Sequence, residues 1–244
     1  MSKIADIIKT TSHRPWTLPA EQWQYYQEWN NALFLHWSVA TDMIKPLIPP
    51  GLEIDTIQGK TWISLVAFTM EKIRPRNLPV LAAVSTFHEI NVRAYVLKDN
   101  KPGVYFLNIE AQKIVSVLIA KSLSGLPYEK ATISRTQKGN TAYFVSENKA
   151  KNFHLDVSYE TGSEGYAKTD IDKWLTERYC LYLDKGKNIY RYEIHHEEWD
   201  VKKVNIKRIN LHYQIGALVI GNRRPDLSHF SKGVQVLAWR RHKA

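Results

Sequence analysis

The alternation of hydrophobic and polar positions predicts a chain built mainly from β-strands. Short runs that alternate with a period of two, or that are continuously apolar, and that end at turn residues are typical of strands. Such runs cover residues 33–39, 52–57, 61–70, 85–96, 104–109, 130–136, 141–146, 153–159, 181–183, 189–195, 201–209, 217–220 and 234–239. Turn residues at Gln58-Gly59 and at 98–103 (KDNKPG) predict that the strands on either side are joined as hairpins.

Helical periodicity is confined to short segments. The clearest segment is 111–124, where side chains recur at i, i+3, i+4 and i+7; these are Ile114, Val117, Leu118 and Lys121. Shorter helices are predicted from Thr41, over 170–179 with Asp170 as the cap, and in the aromatic stretch 23–29. No repeat or linker divides the 244 residues. We therefore predict a single domain, 1–244, of antiparallel strands with a few packed helices.

The predicted strand 85–96, STFHEINVRAYV, has two chemically different faces because side chains alternate across a strand. One face is apolar apart from His88; the other carries Phe87, Glu89, Asn91, Arg93 and Tyr95. Neighbours on one face of a strand stand about 7 Å apart, so a carboxylate, an amide and a guanidinium form a row. This row is either a solvated face with a structural Glu89–Arg93 pair or the wall of a ligand site. In a ligand site, Arg93 would hold an anion and Glu89 would orient it or transfer protons.

The balance of charge is basic, with 34 Lys and Arg against 24 Asp and Glu, giving a net charge of +10. Nucleic acid, an anionic membrane or an anionic small molecule would each be attracted by such a charge. The basic residues are spread out, and the densest clusters, at 202–208 and 240–243, are not interleaved with aromatic residues in a binding motif. We therefore predict a basic, solvated surface and no specific nucleic-acid partner.

The sequence lacks the residues that a disulfide, a metal site or a common cofactor site would need. Cys180 is the only cysteine, so neither an intramolecular disulfide nor a cysteine-based zinc site can form. In a strand His195 and His196 point to opposite faces, so we predict no metal site there. No nucleotide-binding loop or other cofactor motif occurs, and no cofactor is predicted. The N-terminus MSKIADIIKT lacks the apolar run of a signal peptide, and the apolar runs are too short to span a bilayer. These features predict a cytoplasmic protein without membrane contact.

A set of distinctive motifs is spread over nearly the whole chain. They are HRPW at 13–16, FLHW at 34–37, PGLEIDT at 50–56, STFHEINVR at 85–93, KPGVYF at 101–106, LPY at 126–128, LTERY at 175–179, HHEEW at 195–199 and LSHFS at 227–231. Together they resemble the YqjF-like family, a domain of unknown function. That family is similar to the acetoacetate decarboxylase superfamily. The resemblance implies an α+β, mainly antiparallel fold with a β-barrel-like core around a ligand cavity.

The same resemblance implies that Glu89 occupies the place of a pocket glutamate, and it shows one departure. Decarboxylases of the superfamily carry Gly-aromatic-Pro-Lys-Lys, in which the first lysine forms a Schiff base and the second lowers its pKa. Here the matching segment, 125–130, reads GLPYEK. Tyr128 stands at the nucleophile position and cannot form an imine, while Glu129 stands at that of the activator. Lys130 would share a strand face with Tyr128 but has no adjacent cation.

The leading hypothesis is a cavity protein that binds a small anionic or carbonyl-bearing molecule. The predicted ligand-binding residues are Arg93, Asn91, Tyr105, Phe87 and Trp37, and the predicted catalytic residues are Glu89 as base, Tyr128 as acid and, in a weaker variant, Lys130. Lyase-type chemistry is one outcome. A non-catalytic binding or sensory module and a basic nucleic-acid-binding protein are the alternatives, and the oligomeric state is left open.

Overall fold

The computed structural model of the protein describes residues 4–81, 85–112, 125–162 and 166–244, and consists mostly of antiparallel strands. The helices are α1 (Ile4–Lys9), α2 (Thr41–Ile44), which runs into a 3-10 turn at Lys45–Leu47, and α3 (Asp170–Thr176). The strands are β1 (Tyr25–Val39), β2 (Glu53–Ile54), β3 (Thr61–Pro75), β4 (Phe87–Lys98), β5 (Lys101–Ala111), β6 (Tyr128–Lys130), β7 (Thr132–Lys138), β8 (Thr141–Asn148), β9 (Phe153–Thr161), β10 (Cys180–Lys185), β11 (Asn188–His195), β12 (Val201–Ile215), β13 (Leu218–Ile220), β14 (Leu227–Ala238) and β15 (His242–Lys243). The predicted mainly antiparallel class is confirmed.

A closed ring of strands forms the centre of the molecule. Its order is β11-β10-β5-β4-β3-β1-β14, and β14 pairs back onto β11. Neighbours are antiparallel except β10 and β5, which are parallel. The short strand β6 pairs with β5 in parallel and so reaches the ring without interrupting it. Side chains on the inner face of these strands are directed toward a shared interior.

A second sheet packs on the outside of the ring. Strand β12 pairs with β14 at Val201–Lys203 and then continues into an antiparallel sheet with β9, β8 and β7. The largest hydrophobic core lies between this sheet and the outer faces of β1, β3 and β4; its members include Leu33, Leu65, Ile90, Val92, Phe144, Leu155 and Val157. The apolar face predicted for the strand at 85–96 therefore faces the main core.

Three β-bulges reset the alternation of side chains in the ring, and one of them lies in β3, at Lys72 with φ of 52°. In β1 the pairing with β3 shifts between Asn30 and Leu33, at Asn31 with φ of 52°. As a result Trp29 before the bulge and Phe34 after it both face the interior, although their numbers differ in parity. In β5 the pairing with β4 shifts opposite Val92 and Arg93. A strict period of two would have assigned one side of each bulge to the wrong face.

Two elements differ from the sequence predictions. The aromatic stretch 23–29 does not form a helix, because from Tyr25 onward it is part of β1, where large rings fit a half-buried pleated surface. Gln58-Gly59 does form a tight turn bridging Ile57 and Lys60, but β2 pairs with β4 rather than with β3.

Other local predictions are confirmed at the level of the element. Asp99 and Asn100 both adopt positive φ and close the hairpin between β4 and β5. The helix α3 begins near the predicted position, although Thr169 and not Asp170 is its cap, in a capping box with Asp172. The helix predicted over 111–124 lies largely outside the described residues. Within the described ranges, no helix is long and apolar enough to cross a bilayer.

Candidate functional site

The ring encloses a cavity of about 500 Å³ with largely apolar walls. Three of its polar lining groups lie on the inner face of β4, where Glu89, Asn91 and Arg93 are 3%, 5% and 9% exposed. The row of polar side chains therefore lines an interior space and is not a solvated face. Phe87 lines the same cavity, as predicted.

Glu89 has the environment of a proton-transferring carboxyl. The Tyr128 hydroxyl donates to its Oε2 at 2.9 Å, and Asn91 Nδ2 donates to its Oε1 at 3.4 Å. Burial raises the pKa of Glu89 to about 7, although both hydrogen bonds act to lower it. A carboxyl with this pKa exchanges its proton near neutral pH, as a general acid or base must.

Tyr128 reaches Glu89 because β6 is held against β5, with Tyr128 opposite Ile109. Burial, together with the neighbouring Glu89, raises the pKa of Tyr128 well above 10. The hydroxyl therefore keeps its proton at neutral pH and acts as a hydrogen-bond donor. Tyr128 and Glu89, which were predicted as acid and base, are therefore hydrogen-bonded neighbours in the wall of the cavity.

Arg93 carries a charge that the described part of the chain does not neutralise. Its Nη2 donates to the carbonyl oxygen of Leu175 at 2.9 Å, and its guanidinium lies 5.7 Å from the centre of the Phe34 ring. No carboxylate of the described residues forms an ion pair with it, and Glu89 bonds to Tyr128 and Asn91 instead. The structural Glu89–Arg93 pair is therefore wrong. A buried cation without a counter-ion is costly unless an anion joins it.

Arg178 also lines the cavity but differs in its partners. Its Nη1 pairs with Asp55 at 2.6 Å, its Nε donates to the Trp174 carbonyl at 2.8 Å, and its guanidinium stacks 4.2 Å from the Trp174 ring centre. Burial lowers its pKa, and the Asp55 carboxylate opposes that effect. Because Asp55 already neutralises Arg178, Arg93 is the one of these two buried arginines that is open to a ligand. Arg74 also lines the cavity, but it is only half-buried and donates to the carbonyls of Pro75 and Arg76.

Three predicted site residues lie outside the cavity. Tyr105 alternates with the lining residues Val104 and Phe106, and its hydroxyl donates outward to Asp184 at 2.7 Å. Trp37 packs in the core between the ring and the second sheet. Lys130 is exposed at the last residue of a three-residue strand. These placements are corrections to the predicted site, since sequence spacing does not define which face of a short or bulged strand is inside.

His196 is a cavity residue that was not predicted. Strand β11 ends at His195, which points away from the cavity. Its Nε2 lies 2.8 Å from the carbonyl oxygen of Ile7. His196 lines the cavity, and its Nδ1 lies 2.7 Å from the Glu197 carbonyl oxygen, to which it must donate. Burial lowers the pKa of His196, so the ring is neutral with Nε2 as its acceptor. In the described ranges no three possible ligands cluster to hold a metal ion.

A chain of buried polar side chains fills the ring beside the cavity. We call Asp172, His229, His36, Ser64 and Tyr95 the buried network. His229 Nε2 donates to Asp172 at 2.9 Å, His229 and His36 lie 3.1 Å apart, His36 contacts Ser64, and Ser64 contacts Tyr95. The Tyr95 hydroxyl donates to the Leu175 carbonyl, the group that also binds Arg93. Only tertiary contacts join these residues.

The HRPW motif at 13–16 packs against the outside of the cavity wall that carries His196. Arg14 pairs with the buried Glu193 of β11 at 2.5 Å, and the Trp16 indole donates to the same carboxylate at 2.7 Å. His13 bonds to the His196 carbonyl at 2.8 Å, which requires its ring nitrogen to donate. The segment before β1 therefore supports the site from outside.

A family of uncharacterised conserved proteins, DUF2071, matches residues 26–235. The uncharacterised protein YqjF of Bacillus subtilis (strain 168) is 33% identical over 227 residues, which cover 91% of this chain and 93% of that protein. The chain belongs to the DUF2071 family.

Solved structures show that this DUF2071 protein has the acetoacetate decarboxylase-like fold. The enduracididine biosynthesis enzyme MppR complexed with pyruvate superposes with a TM-score of 0.62 at 12% identity, covering 94% of this chain and 93% of that one. Acetoacetate decarboxylase from Legionella pneumophila superposes with a TM-score of 0.61 at 11% identity, covering 100% and 96%. Identities this low show the fold and leave the activity of the DUF2071 chain to be argued from its own site.

Proposed function

We propose that this DUF2071 protein binds a small organic acid inside the ring, with Arg93 holding the carboxylate. The observation that carries the proposal is the buried Arg93 guanidinium, which lines the cavity without a carboxylate partner among the described residues. A bidentate carboxylate would supply the missing counter-ion. The pyruvate bound to MppR, a protein of the same fold, supports a 2-oxo acid as the first ligand to test.

The chemistry that the site supports best is proton transfer next to a carbonyl. Glu89, as carboxylate, would take a proton from the carbon beside the ligand carbonyl, and the C–H electron pair would move into the enolate. The Tyr128 hydroxyl, held 2.9 Å from Glu89, would turn to donate to the enolate oxygen. Returning the proton from Glu89 to carbon regenerates the keto form of the ligand and the Glu89 carboxylate. The pKa of about 7 for Glu89 suits both directions.

This proposal does not use a Schiff base. Lysine is missing from the cavity-lining residues in the ranges that the structure describes, and Lys130 is exposed. Borohydride reduction of the protein with pyruvate, read by intact mass, should give no adduct. A reduced pyruvyl adduct would overturn this part of the proposal and return the site to imine chemistry.

The binding step is tested by isothermal titration calorimetry with pyruvate. Arg93→Met should weaken binding on the order of tenfold to a hundredfold, the usual effect of losing a charge-assisted hydrogen bond. The control is Arg208→Met, because Arg208 is exposed and pairs with Asp156 outside the cavity. Equal affinities in wild type and Arg93→Met would overturn the role of Arg93.

The chemical step is tested by exchange of the pyruvate methyl protons for deuterium in D₂O, followed by proton NMR. Wild-type protein should accelerate the exchange, and Glu89→Gln should abolish the acceleration while pyruvate still binds. Binding without any accelerated exchange would contradict the catalytic role of Glu89. It would instead support the non-catalytic ligand-binding module.

A further inference from the structure

The cavity walls have two main parts, a polar row on β4 and a cluster of aromatic rings against which the His196 ring also packs. Four rings form what we call the aromatic wall: Trp29 and Phe34 of β1, Phe68 of β3, and Trp199 after β11. The polar row lies on β4, which is the neighbour of β3 in the ring. An occupant that satisfies both parts must therefore have an anionic end and an apolar body.

The aromatic wall is continuous. The Trp29 ring centre lies 5.8 Å from Phe68 and 6.2 Å from Trp199, and Phe34 meets Trp199 edge-on at 5.0 Å and 84°. Tilted and edge-on rings present both faces and edges to the space beside them. Aromatic ligands gain contact energy from such arrangements beyond the area that they bury.

The size of the cavity argues against a very small ligand. A volume of about 500 Å³ falls in the range of sites that enclose drug-sized molecules. A three-carbon acid bound at Arg93 would leave most of the apolar wall without contacts, and unfilled apolar space forfeits dispersion energy. The natural occupant should fill the region beside the aromatic wall as well.

Phe34 joins the two parts of the cavity. Its ring lies 5.7 Å from the Arg93 guanidinium and also contacts Trp199. A carboxylate at Arg93 and a ring against the aromatic wall are thus within reach of one small molecule. We infer that the ligand is an aryl-bearing organic acid, an inference that rests on the proposed carboxylate site at Arg93.

The test is a calorimetric affinity series on the wild-type protein with pyruvate, phenylpyruvate and 2-oxooctanoate. Phenylpyruvate should bind on the order of tenfold to a hundredfold more tightly than pyruvate because its ring is buried. It should also bind more tightly than the straight-chain acid of similar size. Equal affinity for phenylpyruvate and 2-oxooctanoate would overturn the preference for an aromatic ring.

Variants of Trp199 test whether the aryl ring of the ligand binds against the aromatic wall. Trp199→Leu should bring phenylpyruvate affinity down toward that of pyruvate and leave pyruvate affinity unchanged, while Trp199→Phe should keep the preference. Trp16→Phe is the control, because Trp16 bonds to Glu193 outside the cavity. If Trp199→Leu fails to fold, the affinities of Trp199→Phe and of the wild-type protein for the three acids still test the preference for an aromatic ring.

Failure of this inference is distinguishable from failure of the proposed function. If pyruvate binds in an Arg93-dependent manner but phenylpyruvate binds no better, the aryl ligand is wrong and the carboxylate site stands. If none of the three acids binds, the proposed function and this inference fall together.

Discussion

The interior of the ring has two regions, the buried network and the cavity. Polar groups are paired in the network, whereas some polar groups in the cavity are not. Both are built on the same strands, because β1 supplies Phe34 to the cavity and His36 to the buried network, and β4 supplies Glu89 to one and Tyr95 to the other. In the network each side chain contacts the next. In the cavity, Arg93 lacks a counter-ion and the Asn91 carbonyl oxygen lacks a hydrogen-bond partner among the described residues.

This difference separates polar groups that are paired within the protein from polar groups that are not. Buried polar atoms in proteins are normally paired, so a paired chain is explained by stability alone, whereas unpaired atoms beside a cavity are groups that the proposed ligand would satisfy. Arg93 stands at the border: pairing between strands places it opposite Ser64, and Ser64 opposite His36. The network and α3 thereby hold Arg93 through the shared Leu175 carbonyl.

The largest expected effect comes from breaking the network at its end. Asp172→Ala removes the partner of His229 and the capping box of α3, and we expect a loss of about 3–5 kcal/mol in the free energy of unfolding. Urea denaturation followed by circular dichroism measures it. The control Asp170→Ala, at an exposed residue of the same helical turn, should cost less than about 1 kcal/mol. Similar losses in both variants would contradict the structural role of the network.

A smaller change in the free energy of unfolding, a gain instead of a loss, is expected when Glu89 in the cavity is substituted. The pKa of Glu89 is about 7 in the folded protein against 4.5 for an ordinary glutamate, so the folded state binds its proton more tightly than the unfolded chain does. Wild-type stability is therefore lost as the pH rises from 4.5 through 7. Glu89→Gln cannot ionise and should gain about 3 kcal/mol over wild type at pH 8 but little at pH 4.

Urea denaturation at the two pH values checks this prediction. Glu160→Gln is the control, because Glu160 lies on the surface beside Lys207 and should show no such gain at high pH. If Glu89→Gln stabilised the protein equally at pH 4 and pH 8, the raised pKa of Glu89 would be refuted.

The smallest effect tests the hydrogen bond between Tyr128 and Glu89. Because this bond favours the carboxylate, Tyr128→Phe should raise the pKa of Glu89 further, by a free energy of about 1 kcal/mol. Carbon-13 NMR of the labelled carboxyl measures the titration. Tyr105→Phe removes a hydroxyl of the same kind outside the cavity and should leave the titration unchanged. An equal shift of the Glu89 pKa in both variants would mean that the pKa follows the overall stability of the protein and not the hydrogen bond from Tyr128.

The predicted placement of side chains on the cavity wall agrees with the structure where the strand is regular and differs from it where the strand is bulged or short. Strand β4 keeps its pairing with β3 in register from Met70–Phe87 to Ile63–Ala94, so the alternation read from the sequence placed Glu89, Asn91 and Arg93 on the same face. Tyr105 lies on the strand that carries the β5 bulge, and Lys130 at the end of a three-residue strand. Cytoplasmic location and the absence of a specific nucleic-acid partner stay predictions.

The sequence by itself determined the mainly antiparallel fold, the family, and the two faces of β4, because alternation and motifs are local properties of a chain. Which face is inside, and what fills the inside, was decided only by the tertiary structure. Closing the ring brings together β1, β3, β4 and β14, whose residues His36, Ser64 and His229 are far apart in the chain and carry no shared motif. The same closure buries Glu89, which raises its pKa, and buries Arg93 without a counter-ion among the residues that the structure describes.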